Sequence, residues 1–344
     1  NSTENTSHCV FNSVITSRVL PVFYSLVFIV SIILNGLNFW IFFYVPSNRS
    51  FIVYLKNIVF ADLLMTLTLP LKIVSDVELG SALLNIIVCR YTAVIFYLNM
   101  YIGIIFLGIL GLDRYQKVVR PMHTSSVQNV GYSKALSAVV WMFMAVVSVP
   151  NMILTNQPFH AANYTNCARL KSHLGIQWHQ ASNYICVSVF VVVFFLLVIF
   201  YVSISRTIYK SNQRFKNGSN MKAKSSRNIY SILFVFFVCF VPYHALRIPY
   251  TLSQVGADYS CSSKTILYSM KEVTLLLAAS NVCLDPIIYF FMCQPFRNML
   301  FKKLHLTCGE MEQDKTCRVS STMPGISIHS TETNSASEAP SSMS

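Results

Sequence analysis

Seven stretches of this chain are long apolar runs, at 19–44, 52–76, 86–112, 133–155, 177–205, 229–254 and 266–292. Each reaches the roughly 20 residues needed to cross the hydrocarbon core of a bilayer. Inside lipid a backbone finds hydrogen-bond partners only in its own chain, so each run is expected to be a helix. With 54% hydrophobic and only 11% charged residues, a soluble globular domain is excluded. Pro70, Pro150, Pro242, Pro249 and Pro286 fall inside the runs. They would argue against a helix in water, but in membranes neighbouring helices and waters re-satisfy the freed carbonyls, and they are read as kinks.

The formal net charge of +13 bears on topology, because the positions of the charges matter more than their sum. Connections near 45–50, 114–132 and 206–227 carry Arg49, Arg114, Lys117, Arg120, Arg206, Lys210, Arg214 and further lysines, and Arg297, Lys302 and Lys303 follow the last run. The opposite connections are sparse in Lys and Arg. The positive-inside bias puts the N-terminus outside and the C-terminus in the cytosol of a multi-pass plasma-membrane protein, with no role for nucleic acid. Asn1 to His8 are polar and lack a basic stretch followed by an apolar one, so the first run is expected to be anchor and address together. The expected organisation is an all-α seven-helix bundle at 19–294 after an outer segment 1–18. A short amphipathic helix at 295–306 on the inner leaflet and a disordered Ser/Thr-rich tail at 307–344 complete it. Asn1, Asn5 and Asn163 are outward-facing glycosylation triplets, whereas Asn48 and Asn217 match the same triplet on the cytosolic side and are false positives.

Several polar residues sit inside the apolar runs. A carboxylate at mid-membrane depth is costly, so Asp62 and Asp285 should face the bundle interior with polar partners or an ion. Asn281 and Asp285, four apart, share a helix face. On the sixth run His244, Arg247, Tyr250 and Gln254 follow at helical spacing upward from Pro242, the seventh carries Lys271-Glu272, and the second outer connection offers Arg169 and Lys171. Together they read as a basic cup. Snorkelling of Arg247 and Lys271 to outer headgroups is the competing reading, as is an internal pair of one of them with Glu272. Against snorkelling, Arg247 lies only five residues past Pro242. Guanidinium forks and lysine point charges suit phosphate oxygens. Four outward cysteines, Cys9, Cys89, Cys167 and Cys261, allow three pairings.

Asp113-Arg114-Tyr115 closes the third run. Taken with Asp62, Trp141, Phe236, Cys239, Pro242, Asn281, Asp285-Pro286 and Tyr289, it resembles the rhodopsin-like (class A) G-protein-coupled receptors over about residues 18–304. The resemblance implies disulfides Cys89–Cys167 and, by remainder, Cys9–Cys261. It implies a polar cluster of Asn35, Asp62 and Asn281 able to hold an allosteric sodium ion, with no other cofactor and no metal. It also implies an activation set in which Arg114 is released from Asp113 to meet a G protein, with Tyr115, Phe236, Phe240, Asp285 and Pro286 in the moving parts and Tyr201 and Tyr289 as switch partners. Phe96, seven residues after Cys89, is not the acid of an amine receptor, and Ala279, seven before Pro286, is not the lysine of an opsin.

The stretch Phe236–Gln254 (FFVCFVPYHALRIPYTLSQ), Lys271-Glu272, Lys171-Ser172-His173-Leu174-Gly175 and Trp178-His179 are similar to the purinergic nucleotide receptors, in the inhibitory-G-protein branch for ADP and UDP-sugars. The sixth and seventh runs look most like receptors for UDP-glucose. The second to fourth also resemble a relative to which lysophospholipids have been assigned, which makes lysophosphatidic acid the alternative ligand. The resemblance implies that Tyr97 and Tyr101 flank the base or sugar and that Asn151 and Asn183 hydrogen-bond it. Lys171, His179, His244, Arg247, Tyr250, Gln254, Lys271 and Glu272 would complete the ligand site, with phosphate drawn between Arg247 and Lys271. Val193, Phe240 and Asp285 depart from general class A patterns and agree with the purinergic branch. The resemblance further implies an inhibitory G protein, and arrestin and receptor kinases acting on tail sites such as Ser320, Ser321, Thr322, Ser327, Ser330 and Thr331; Cys308 is a palmitoylation candidate. A transporter would show paired internal repeats and an enzyme a nucleophile–base or metal-ligand spacing; neither is found.

Overall fold

The computed structural model describes residues 14–45, 47–77, 79, 81–120, 129–157, 167–214, 219–254 and 260–303. Among them seven helices are long and apolar enough to cross a membrane: Ile15–Tyr44, Ser50–Asp76, Ala82–Val119, Val130–Ile153, His173–Lys210, Tyr230–Ser253 and Cys261–Phe290. These are the first to seventh spans below. The bundle is apolar outward and polar inward. Phe43, Val139 and Phe234 are each more than half exposed, whereas Asn35, Asp62, Asp113 and Asp285 are buried. Lipid is as apolar as leucine, so close packing and interhelical hydrogen bonds hold the spans together.

Composition marks the membrane limit and not the helix end. The third span starts four residues before its apolar run, where Ser81 caps it by accepting from the Leu84 N–H, and continues seven past it, where Lys117 pairs with Asp113 one turn earlier, at 2.8 Å. The helix of the fifth span likewise runs from His173 to Arg214, and that of the sixth from Ser219 to Gln254, through Pro242 and Pro249. The seventh span is two helices, Cys261–Ala279 and Asn281–Met292. At the break, the Ser280 N–H donates to the carbonyls of Leu276 and Leu277. Pro286 has no N–H to offer the carbonyl four residues before it. That carbonyl, of Val282, accepts instead from Asn35 Nδ2 of the first span at 2.8 Å.

Two glycines set the distance between the third and fifth spans. A Cβ on Gly108 would lie 2.9 Å from Val193 Cγ1, and one on Gly111 would lie 2.5 Å from Leu197 Cδ2. Trp141 of the fourth span donates to Asn57 of the second at 2.9 Å. A terminal helix, Gln294–Lys303, docks through buried Phe296, stacked on Phe42 at 5.1 Å between centroids, while Arg297 donates to the Phe290 carbonyl.

Candidate functional site

At one end of the bundle the sixth span turns His244 and Arg247 inward, both buried. Arg247 is 8% exposed. Its Nη2 donates to Asn183 Oδ1 of the fifth span at 2.6 Å, and its guanidinium lies 5.5 Å from the ring centre of Tyr97 and 5.9 Å from that of Tyr243. Among the described residues it forms no ion pair with a carboxylate. Lys171 and His179 lie in its field, and burial, with Arg247 adding to it, lowers the Lys171 ammonium to about 8.

Lys271 is placed differently from the expectation that it and Arg247 together take the phosphate. It is ion-paired with its sequence neighbour Glu272 and lies over the rings of Tyr250 and Tyr268, at 5.1 and 4.9 Å. Glu272 also reaches Lys72 of the second span at 3.7 Å, and Lys72 pairs with Asp76 at 2.8 Å and sits over Tyr24 at 5.0 Å. Sequence reasoning missed Lys72, Asp76 and Tyr24. The signal was present: Lys72 lies two residues past Pro70, in the last turn of an apolar run, with an acid one turn on.

His244 and Tyr101 meet below Arg247, Tyr101 Oη being 3.0 Å from His244 Nε2. Asn151 is turned to the fifth span, where its Nδ2 donates to Ser182 Oγ at 3.2 Å, and its Oδ1 is buried without a partner. Gln254 ends the sixth helix, and its side chain lies outside the described residues, as do Asn1, Asn5, Asn163 and the tail sites. Cys89 and Cys167 form the expected disulfide. Cys261 is disulfide-bonded; its expected partner Cys9 lies outside the described residues.

Deeper in the bundle, Tyr289 donates to Asp62 at 2.9 Å and Asn281 to Asp285 at 3.3 Å. The expected trio of Asn35, Asp62 and Asn281 is thus wired through seventh-span partners: Asp62 to Tyr289, Asn281 to Asp285, and Asn35 to the backbone. Oxygens of Asn35, Asn99, Asn281 and Asp285 are buried there without hydrogen-bond partners. Asn99, also missed, is one turn from Gly103, whose Cβ position is 3.9 Å from Asn281 Nδ2. Tyr201, expected to switch with Tyr289, packs on Tyr230 at 6.3 Å, and its hydroxyl has no partner.

At the opposite end, Arg114 Nε lies 3.7 Å from Asp113 Oδ2, farther than Lys117 at 2.8 Å. Both cations rest over Phe51 of the second span, at 4.8 and 5.3 Å. Tyr115 stacks on Phe200 at 5.1 Å. Phe236 stacks on Phe190 and touches Phe240, both at 5.6 Å.

Seven membrane-length spans around buried carboxylates, with cations gathered at both ends, define a seven-span membrane protein. Residues 34–289 match the family "7 transmembrane receptor (rhodopsin family)", and the chain belongs to that family. Among its relatives, it is 54% identical to purinoceptor 14 of Bos taurus, over 90% of this chain and 93% of that one. It is 48% identical to G-protein coupled receptor 87 of Mus musculus over 88% and 83%, and 40% identical to purinoceptor 13 of Homo sapiens over 85% and 83%. The chain is therefore a G-protein-coupled receptor of purinergic kinship.

Proposed function

We propose that this receptor reads an extracellular nucleotide or nucleotide sugar, with UDP-glucose or UDP first and ADP next, at the Arg247 end. At the Arg114 end it would engage an inhibitory G protein and lower cyclic AMP. The observation that carries the reading is a buried Arg247 whose hydrogen-bond and ring partners among the described residues are the neutral Asn183, Tyr97 and Tyr243, the carboxylate in its field, Glu272, being already paired with Lys271. A buried guanidinium with no carboxylate in direct contact favours an anion from solution, and phosphate matches its fork. Lys171 adds a second cation. Lys72 and Lys271 can turn to the same anion, while Glu272 and Asp76 offer acceptors to sugar hydroxyls. The loop charges support an outward N-terminus, and the Cys89–Cys167 disulfide fits an oxidising exterior at the cup. Kinship to purinoceptors 14 and 13 supports the ligand class.

The buried, unpartnered oxygens of Asn35, Asn99, Asn281 and Asp285, with Asp62 beside them, form an all-oxygen donor set suited to a hard cation such as sodium. An ion there would supply charge compensation to the two carboxylates. Arrestin and receptor kinases would act on the tail.

A cyclic-AMP assay in cells tests the reading, with UDP-glucose, UDP, ADP and lysophosphatidic acid applied to the wild type and to Arg247→Ala. Nucleotide potency should fall on the order of a hundredfold in the variant, the loss expected when one partner of a buried charge pair is truncated. Unchanged potency, or a response to lysophosphatidic acid alone, overturns it.

A further inference from the structure

His244 stands on the cup-facing side of the sixth span by spacing, yet its ring has nothing left to give a ligand. It is 1% exposed and lies flat on Phe190 of the fifth span, with centroids 3.7 Å apart and planes 5° from parallel. Both nitrogens are engaged: Nδ1 is 2.9 Å from the Phe240 carbonyl, and Nε2 is 3.0 Å from the Tyr101 hydroxyl. A carbonyl only accepts, so Nδ1 carries the proton, and in the neutral ring Nε2 accepts from the Tyr101 O–H.

This fixes a chain of contacts from the cup to the hinge. Tyr101 belongs to the third span and lies in the field of Arg247. Phe240 lies in the turn leading into Pro242, where the helix lacks one backbone donor. Phe190 carries His244 and, parallel within 2°, Phe236, two turns back along the sixth span. The third, fifth and sixth spans are thus joined at one imidazole beside the proline kink.

We propose that His244 is a positioning residue: it couples the Tyr101 hydroxyl to the sixth-span hinge and governs receptor output without touching the ligand. A ligand that draws the Tyr101 hydroxyl toward itself leaves Nε2 buried without a donor, which is disfavoured. The population then shifts to arrangements in which the sixth span has left the third. Losing the hydrogen bond by mutation should do the same with no ligand present. The inference rests on the proposed ligand site only through Tyr101, so the deciding measurement omits ligand.

The experiment compares the full-length receptor, Tyr101→Phe, His244→Phe and the double variant, reconstituted in lipid with inhibitory G protein. Basal nucleotide exchange is measured, together with a fluorophore at the far end of the sixth helix that needs neither ligand nor G protein. His244→Phe keeps a ring on Phe190 and removes both nitrogens. Each single variant should raise basal exchange and shift the fluorophore to a similar degree, about threefold to tenfold in the active population for one hydrogen bond, and the double variant no further than either. His244→Gln, which returns an acceptor toward the Tyr101 hydroxyl, should restore the wild-type level. UDP-glucose should bind His244→Phe at least as tightly as the wild type, and tighter by no more than the gain in active population, because a ligand that favours that arrangement binds better where it is more populated. Additive effects, or an unshifted fluorophore, overturn the inference, as does loss of UDP-glucose binding in His244→Phe at wild-type basal output. If His244→Phe does not reach the membrane, Tyr101→Phe, which lacks one oxygen, must by itself raise output. UDP-glucose binding to none of the proteins would overturn the ligand reading and leave the basal cycle to decide the coupling.

Discussion

Each end of the bundle has one carboxylate shared between two cations, and the two ends differ in what surrounds the cations. At the cup, Glu272 holds Lys271 and reaches Lys72 at 3.7 Å; at the other end, Asp113 holds Lys117 at 2.8 Å and Arg114 at 3.7 Å. The cup has further cations in Arg247 and Lys171, so among the described residues Lys72, Lys171, Arg247 and Lys271 face only Asp76 and Glu272. Asp113 and its cations are closed over by the ring of Phe51. Where cations exceed carboxylates the site is completed from solution. Where one carboxylate is divided between two cations, a small change redistributes it.

The largest expected effect comes from removing the shared carboxylate of the cup. Glu272→Gln leaves buried Lys271 without its carboxylate and half-buried Lys72 with Asp76 alone, a change worth about 3–5 kcal/mol of stability when one partner of a buried pair is lost. Thermal unfolding in detergent should fall accordingly, and UDP should restore more of it than in the wild type, because phosphate takes the place of the carboxylate. An unchanged melting temperature would mean that the second and seventh spans are not joined there.

A smaller effect concerns Lys171, lowered to about 8 by burial and by Arg247. An anion binds the charged ammonium and raises its pKa in the complex. UDP-glucose affinity should therefore be flat on the acid side and fall as pH rises through the free value, by up to about tenfold between pH 7 and 9. Lys171→Met should bind more weakly at pH 7 and lose that slope; a variant with the slope intact would assign it to another group. The smallest effect is at the opposite end. Lys117→Met returns Asp113 to Arg114 alone, holds the arginine more firmly, and should lower basal nucleotide exchange by about twofold to fivefold, the range of a partly exposed ion pair. A rise would show that Lys117 restrains Arg114 and does not compete with it.

The spans were legible because lipid forces every long apolar run into a helix. Their ends were less so, since a pair such as Asp113–Lys117 carries a helix beyond its apolar run. The break at Ser280 was hidden, because Pro286 marks a kink six residues later and only the first-span Asn35 reveals where its freed carbonyl goes. In the cup, Arg247 announced itself by depth past Pro242. The Lys271–Glu272 pair remained one alternative among several, since successive residues on a helix do not face each other; burial of both in a single cup brings them together. Lys72 had a local mark in Asp76 one turn on, but its meeting with Glu272, two hundred residues away in the chain, is one that no local pattern encodes.

The notches at Gly108 and Gly111 have a consequence for how this chain can vary over time. With Val193 and Leu197 seated where a methyl group would stand, neither side can grow alone. Gly111→Ala requires Leu197 to swing its end aside or to shorten, and a methyl at 108 requires Val193, branched at Cβ, to give way. Positions 108 and 193 should therefore vary as one pair and 111 and 197 as another, the first more tightly bound than the second.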